Sequence, residues 1–273
     1  MNESIHLKTT NNVSRLKAKN ITLGYQGTLI TQSLSIDIPD AKFTVIIGPN
    51  GCGKSTLLRG LSRLLTPSEG CITFDDKDLE SYSRRSLAKQ LGLLPQSAIA
   101  PSGITVYDLV ARGRFPHQTF LRRWTQQDET AVSNAVSATQ IEPLLDKTVE
   151  SLSGGQRQRV WVAMVLAQET PYLLLDEPTT YLDISHQIEL LELFKRLNQK
   201  EARTVVAVLH DLNHACRYAD HLVVMKSGKV IAEGTPKNTV SKSLIKEVYG
   251  LDCIVVDDPL TKTPMIVPEP QSE

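Results

Sequence analysis

The sequence predicts an α/β fold in which parallel strands form the core, antiparallel strands come first and a helical subdomain is inserted. Three observations carry the prediction. Short apolar runs rich in β-branched residues alternate with longer helical patterns, as a parallel sheet requires. The stretch from Leu16 to Phe74 alternates apolar and polar residues (LKAKNITLGY, LSIDI, GCITF), which suits antiparallel strands. From about Gly103 to Ala167 the pattern turns helical, with few strand-like runs.

The elements follow in order. Phe43–Gly48 (FTVIIG) reads as a buried strand and Ser55–Leu65 as the helix after it. Tyr172–Asp176 (YLLLD) reads as a second buried strand and Thr204–His210 (TVVAVLH) as a third. Beyond Gly234 the pattern gives a short helix and a Pro-rich VVDDP…MIVP tail packed on the surface.

At 273 residues and 41% hydrophobic content the chain can bury a sizeable core. Thirty basic residues balance thirty acidic ones, so no net field argues for nucleic acid or an anionic membrane surface, and no nucleic-acid partner is expected. Arg112, Arg114, Arg122 and Arg123 cluster, which reads as a solvated face or a set of local ion pairs. No apolar run reaches the ~18 residues of a membrane span, and Met1–Asn12 lacks the apolar stretch of a secretory signal. Cys52, Cys71, Cys216 and Cys253 are scattered without CxxC spacing, which fits a reduced compartment and no cysteine metal site. A cytosolic protein is expected.

Three motifs carry chemistry. The first, Gly48-Pro49-Asn50-Gly51-Cys52-Gly53-Lys54-Ser55, fits G-x-x-x-x-G-K-[ST] between a strand and a helix. Its glycines let successive N–H groups turn toward phosphate oxygens, and the helix opening at Ser55-Thr56 presents a partial positive charge to the same anion. Lys54 would reach the β- and γ-phosphates, and the Ser55 hydroxyl would serve Mg²⁺. The second, Leu173 to Pro178 (LLLDEP), ends an apolar strand in two carboxylates, costly unless a cation or partners meet them. Asp176 is placed to hold Mg²⁺ and Glu177 to polarise the attacking water as general base. The third is Leu152-Ser153-Gly154-Gly155-Gln156, where Ser153 caps a helix and the two glycines allow close backbone approach. His210 and His214 also stand four apart (HDLNH), a spacing known from zinc sites, but no third ligand is evident. Cys52 fills a small-residue slot in the loop, where a thiol could make the protein sensitive to alkylation.

Together these motifs, in this order and spacing, resemble the ABC ATPase superfamily over nearly the whole chain. The resemblance implies a P-loop NTPase (RecA-like) core, with residues 14–234 as the nucleotide-binding domain, a helical subdomain at about 97–167 and a C-terminal extension over 235–273. It implies that Ser153, Gly154, Gly155 and Gln156 meet the ATP held by a second copy, making a head-to-tail homodimer. Gln96 (LLPQ) then matches the residue that touches Mg²⁺ and links the site to the membrane partner. His210 matches the histidine contacting the γ-phosphate, Asp183 the carboxylate at the dimer seam, and Tyr25 the aromatic stacking on adenine.

Without membrane spans of its own, such a cassette implies two separate permease subunits, and a peripheral place on the cytoplasmic face of the inner membrane. Val106–Gln118, Leu152–Thr170, Thr179–Leu193 and Tyr249–Pro268 are similar to the ATPases of ferric-siderophore importers, most of all the ferric-enterobactin (catecholate) type. Tyr181, before Leu182-Asp183, fits that subgroup. A periplasmic or surface siderophore-binding protein is the implied indirect partner. ATPases of vitamin B12 and haem importers share these features and remain alternatives, as, more remotely, does a non-transport ABC ATPase.

Overall fold

A computed structural model describes residues 14–118 and 124–270. The first strands, β1 (Leu16–Tyr25) and β2 (Thr28–Ile38), pair antiparallel through a tight turn, and their alternating burial follows the alternating sequence. β3 (Phe43–Ile47) leads into α1 (Lys54–Leu61). β4 (Glu69–Phe74) and β5 (Lys77–Asp78) return to the edge of β1, giving a four-stranded sheet of order β2-β1-β4-β5. α2 (Arg84–Ala88) and β6 (Leu91–Leu94) follow.

Helices then dominate: α3 (Val106–Ala111), a 3₁₀ segment (Arg112–His117), α4 (Gln126–Thr139) and α5 (Gly154–Ala167). The Thr125–Asp128 and Ser153–Gln156 capping boxes start α4 and α5 by satisfying backbone donors at both ends of each box. β7 (Tyr172–Asp176), α6 (Ile184–Glu201), β8 (Thr204–Val208), α7 (Leu212–Tyr218), β9 (His221–Lys226) and β10 (Lys229–Gly234) complete the second sheet. Its order is β10-β9-β3-β8-β7-β6, with every pair parallel except β9–β10.

β3, β7 and β8 are buried at every position because both of their faces are covered. Phe43, Val45, Leu173, Leu175, Val205 and Ala207 face the core shared with α5 and α6, while Ile46, Leu174, Val206 and Val208 face α1 and the antiparallel sheet. Each fully buried Leu or Val contributes about 1.5–3 kcal/mol. This two-sided core fixes the carboxyl ends of β3, β7 and β8, where the motifs sit.

Several expectations need correction. β3 stops at Ile47 and α1 at Leu61, because Gly48 and Arg63 take positive φ of 152° and 60°. β8 ends at Val208, so His210 lies in the link after the strand and not on it. His214 is on α7 whereas His210 precedes its N-cap Asp211, so the two do not share a helix face; His214 instead makes an edge contact with Tyr218. The tail holds α8 (Pro236–Thr239), α9 (Lys242–Tyr249) and a hairpin of β11 (Cys253–Asp257) and β12 (Pro264–Pro268). Pro264 and Pro268 stand at the two ends of β12, on a two-stranded ribbon where a missing N–H is tolerated.

Of the two readings of the arginine cluster, Arg114 takes that of local ion pairs and not that of a solvated face. Arg112 is exposed, but Arg114 is completely buried: its Nε donates to Asp128 at 3.0 Å and its Nη1 to Glu169 at 2.7 Å and to the Ala167 carbonyl. It ties the 3₁₀ segment to α4 and to the end of α5. Arg122 and Arg123 lie outside the described residues, as does Met1–Asn12.

Candidate active site

The loop between β3 and α1 turns on glycines that take positive φ. At Gly48 a Cβ would fall 2.2 Å from the Met225 carbonyl oxygen, and Gly53 caps α1 at φ 102°. The backbone can therefore curl tightly over the end of the sheet. Lys54 is 5% exposed, and its ammonium donates to the carbonyls of Gly48 (2.8 Å) and Pro49 (3.0 Å). In this way the lysine closes the loop on itself while remaining at its mouth.

Beneath the loop, the Ser55 hydroxyl donates to Asp176 Oδ1 at 2.8 Å, joining the start of α1 to the end of β7. Burial raises the Asp176 carboxyl above its usual value; the Ser55 hydrogen bond only partly offsets this, and the neighbouring Glu177 charge adds to it. A buried carboxylate and hydroxyl side by side, with the Gln96 amide in the same cleft, form a hard oxygen donor set that fits Mg²⁺.

Glu177 takes a left-handed backbone, φ 53°, a conformation that costs a non-glycine residue about 1 kcal/mol or more. That turn aims its carboxylate away from the strand toward His210, whose Nε2 lies 2.6 Å from Glu177 Oε1. Partial burial raises the Glu177 carboxyl, but hydrogen bonds from His210 and Gln96 outweigh it and leave the group below its ordinary value. Glu177 is therefore held as a carboxylate at neutral pH.

One cleft of about 450 Å³ is lined by Asn50, Gly51, Gly53, Lys54, Ser55, Thr56, Gln96, Glu177, His210 and Ile30. Asp176 is 2% and Cys52 4% exposed, behind the lining. Burial raises the Cys52 thiol, with only partial opposition from Lys54, and both its low access and its ionisation disfavour alkylation. Tyr25 is 39% exposed at the end of β1, and its hydroxyl accepts from Arg59 of α1 at 3.3 Å.

The remaining motif residues line a different surface. Ser153 caps α5, and Gly154 passes so close to Tyr181 that a Cβ would sit 3.3 Å from the tyrosine Cβ. Asp183 caps α6, accepting from the His186 N–H at 3.0 Å and from the Ser185 hydroxyl at 2.9 Å. Neither Ser153–Gln156 nor Asp183 lines the cleft of their own chain. Two supporting residues escaped the sequence reading. The Thr180 hydroxyl donates to Glu177 at 3.3 Å, and Gln158 of α5 donates to the Pro178 carbonyl at 2.9 Å. Thr180 stands three residues after Glu177, a spacing that signals a turn; nothing in the sequence signals Gln158.

Proteins built around such a loop bind nucleoside triphosphates. The family model described as ABC transporter matches residues 31–180, and the chain belongs to that family as an ABC-type ATPase. Among curated relatives, it is 54% identical over 259 residues to the ferric enterobactin transport ATP-binding protein FepC of Escherichia coli (strain K12), covering 95% of this chain and 96% of the relative. It is 48% identical to the petrobactin import ATP-binding protein FpuD of Bacillus anthracis, covering 93% of each. The iron(3+)-hydroxamate import ATP-binding protein FhuC of Bacillus subtilis (strain 168) is 44% identical, over 93% of this chain and 94% of its own. Of solved structures, the dimeric bacterial ABC transporter cassette MJ0796 superposes with a TM-score of 0.73 at 28% identity, over 81% of this chain and 98% of that one.

Proposed function

We propose that this chain is the ATP-hydrolysing subunit of a multi-subunit importer for a ferric siderophore, of the catecholate, enterobactin-like class. The observation that carries the cargo class is the 54% identity to FepC along 95% of the chain, against 48% and 44% to the petrobactin and hydroxamate relatives. No described helix is long and apolar enough to cross a membrane, so two separate permease subunits would supply the path, with this chain peripheral on the cytoplasmic face of the inner membrane. A siderophore-binding protein beyond the membrane would deliver cargo to them. Residues 14–234 form the nucleotide-binding domain in this reading, with the helical subdomain over 97–167 and the extension over 235–273.

The mechanism follows from the cleft. Backbone N–H groups of Gly48–Thr56 cradle the ATP phosphates and Lys54 compensates their charge. Tyr25 stacks on the adenine at the rim. Ser55, Asp176 and Gln96 would hold Mg²⁺, which when bound neutralises phosphate charge as it develops. Glu177, already ionised, orients the attacking water and takes its proton, and His210 steadies that carboxylate and meets the γ-phosphate. Ser153–Gln156 of a second copy close over the same phosphate, with Asp183 at the seam. That assignment is supported by the placement of both outside their own cleft and by the dimeric solved relative. Binding energy of ATP closes the pair, and hydrolysis removes the contacts that held it closed.

The test is uptake of ⁵⁵Fe-labelled ferric enterobactin in a host lacking the gene, beside ferric hydroxamate and labelled vitamin B12. Loss of catecholate uptake alone, rescued by wild type and not by Glu177→Gln, is expected. Loss of hydroxamate or B12 uptake instead overturns the cargo class.

A further inference from the structure

We propose that the C-terminal extension is a brace for hydrolysis: the β11–β12 hairpin holds α7, and through it His210, with Asn213 as the anchoring residue. His210 stands in a short link between β8 and α7. On the strand side the link is fixed, since the Leu209 N–H donates to the Ile46 carbonyl of β3 at 3.3 Å. On the helix side it is only as fixed as α7 itself. Asp211 caps that helix through the His214 N–H at 2.7 Å, but seven residues are too few to persist by their own hydrogen bonds. Tertiary contacts must set where α7 lies.

Those contacts come from two sides. Inward, Ala215, Cys216 and Tyr218 are buried in the core. Outward, Asn213 and Arg217, four residues apart and so on one helix face, grip the hairpin. The Asn213 side-chain amide pairs with both backbone groups of Ile266: Nδ2 donates to its carbonyl at 3.2 Å and Oδ1 accepts from its N–H at 2.7 Å. Arg217 meets Asp258 at 2.6 Å, and Asp258 in turn accepts from the Leu260 and Thr261 N–H groups at 2.8 and 3.0 Å, which closes the hairpin turn. The hairpin is itself rooted, with Cys253 fully buried and Ile266 4% exposed. The hairpin is thus an outer wall, and the Asn213 amide and the Arg217–Asp258 pair join it to the helix that begins two residues after His210.

The consequence is selective. The phosphate loop is held by β3, by α1 and by the β9–β10 turn, whose Gly228 N–H donates to the Cys52 carbonyl at 3.0 Å, and none of these hydrogen bonds comes from the hairpin; the 2.6 Å contact of His210 with Glu177 is made from the link that leads into α7. Slackening the brace displaces the histidine and leaves nucleotide binding in place. The inference rests on the hydrolysis reading given above, and the experiment separates the two. ATPase kinetics of the full chain are measured for wild type, Asn213→Ala and Asn213→Asp, with hydrogen exchange of the same proteins. Displacements near 1 Å cost up to ~100-fold in rate, so we expect kcat to fall about tenfold in Asn213→Ala, with KM for ATP within twofold. Asn213→Asp, which keeps the acceptor for the Ile266 N–H, should lie between. Exchange should rise over residues 209–214 and not over 48–58. Arg217→Met reads the same effect on a smaller scale if Asn213→Ala fails to fold. An unchanged kcat in a folded variant, or KM rising as far as kcat falls, overturns the brace; so does unchanged exchange at 209–214, even if the wild type hydrolyses no ATP. A wild type without ATPase activity counts against the hydrolysis reading alone.

Discussion

Replacing Lys54 with Ala should weaken ATP binding by an amount the free structure sets. The ammonium already gives two of its three protons to the Gly48 and Pro49 carbonyls, at 2.8 and 3.0 Å. One proton remains for a phosphate oxygen, so the variant loses one charge-assisted hydrogen bond to the ligand and not three. Such a bond contributes about 1.5–3 kcal/mol, which corresponds to a Kd raised roughly 10- to 150-fold. The side chain is 5% exposed but stretched along the loop, so its loss leaves no large apolar void. Calorimetric titration with ATP at 25 °C measures the change, and the melting temperature checks that the loop still folds. A Kd within twofold of wild type, at an unchanged melting temperature, would refute the phosphate-loop reasoning.

Three further outcomes follow from the geometry. Ser153→Ala removes the α5 cap, costing about 1 kcal/mol of stability, and should slow hydrolysis at least tenfold while a single chain binds ATP as before; an unaltered rate would detach Ser153 from the second copy's nucleotide. Arg114→Met leaves the buried Asp128 without its cationic partner, and urea denaturation should show a loss of about 3–5 kcal/mol; a loss below about 1 kcal/mol would mean that the pair adds little. Backbone hydrogen bonds from Thr261, with the Arg217 contact, hold the Asp258 carboxyl down at about 2. Because this folded value lies below the unfolded one near ~4, its contribution is complete above that pH and disappears as pH falls toward 2. Hydrogen-exchange protection of the β11–β12 hairpin should therefore hold at pH 5 and decline between pH 4 and 2, and a decline beginning above pH 5 would contradict the assignment.

What could be read from the sequence was local. The Gly48–Ser55 loop, the LLLDEP strand and the Ser153 cap are each written in consecutive residues, and the structure joins Ser55 to Asp176 across 121 positions. The burial of Arg114 was not legible, because its partners lie 14 and 55 residues away and the local string RGRFPH looks like a polar turn. The His210–His214 pair, set aside in the sequence for want of a third ligand, does not share one helix either, because α7 begins only after Asp211. The hairpin after α9 was hidden because Pro264 and Pro268 suggested an irregular tail, while its contact with α7 is made by Asn213, some fifty residues earlier.

The composite site itself is best tested by the mass of Glu177→Gln in solution with and without ATP. If Glu177 is the base, as proposed, its amide should bind ATP without turning it over and keep two copies closed. Light scattering should then give the 30.2 kDa of one chain without nucleotide and twice that value with ATP. A variant that binds ATP yet remains at the mass of one chain would contradict a site shared between two copies.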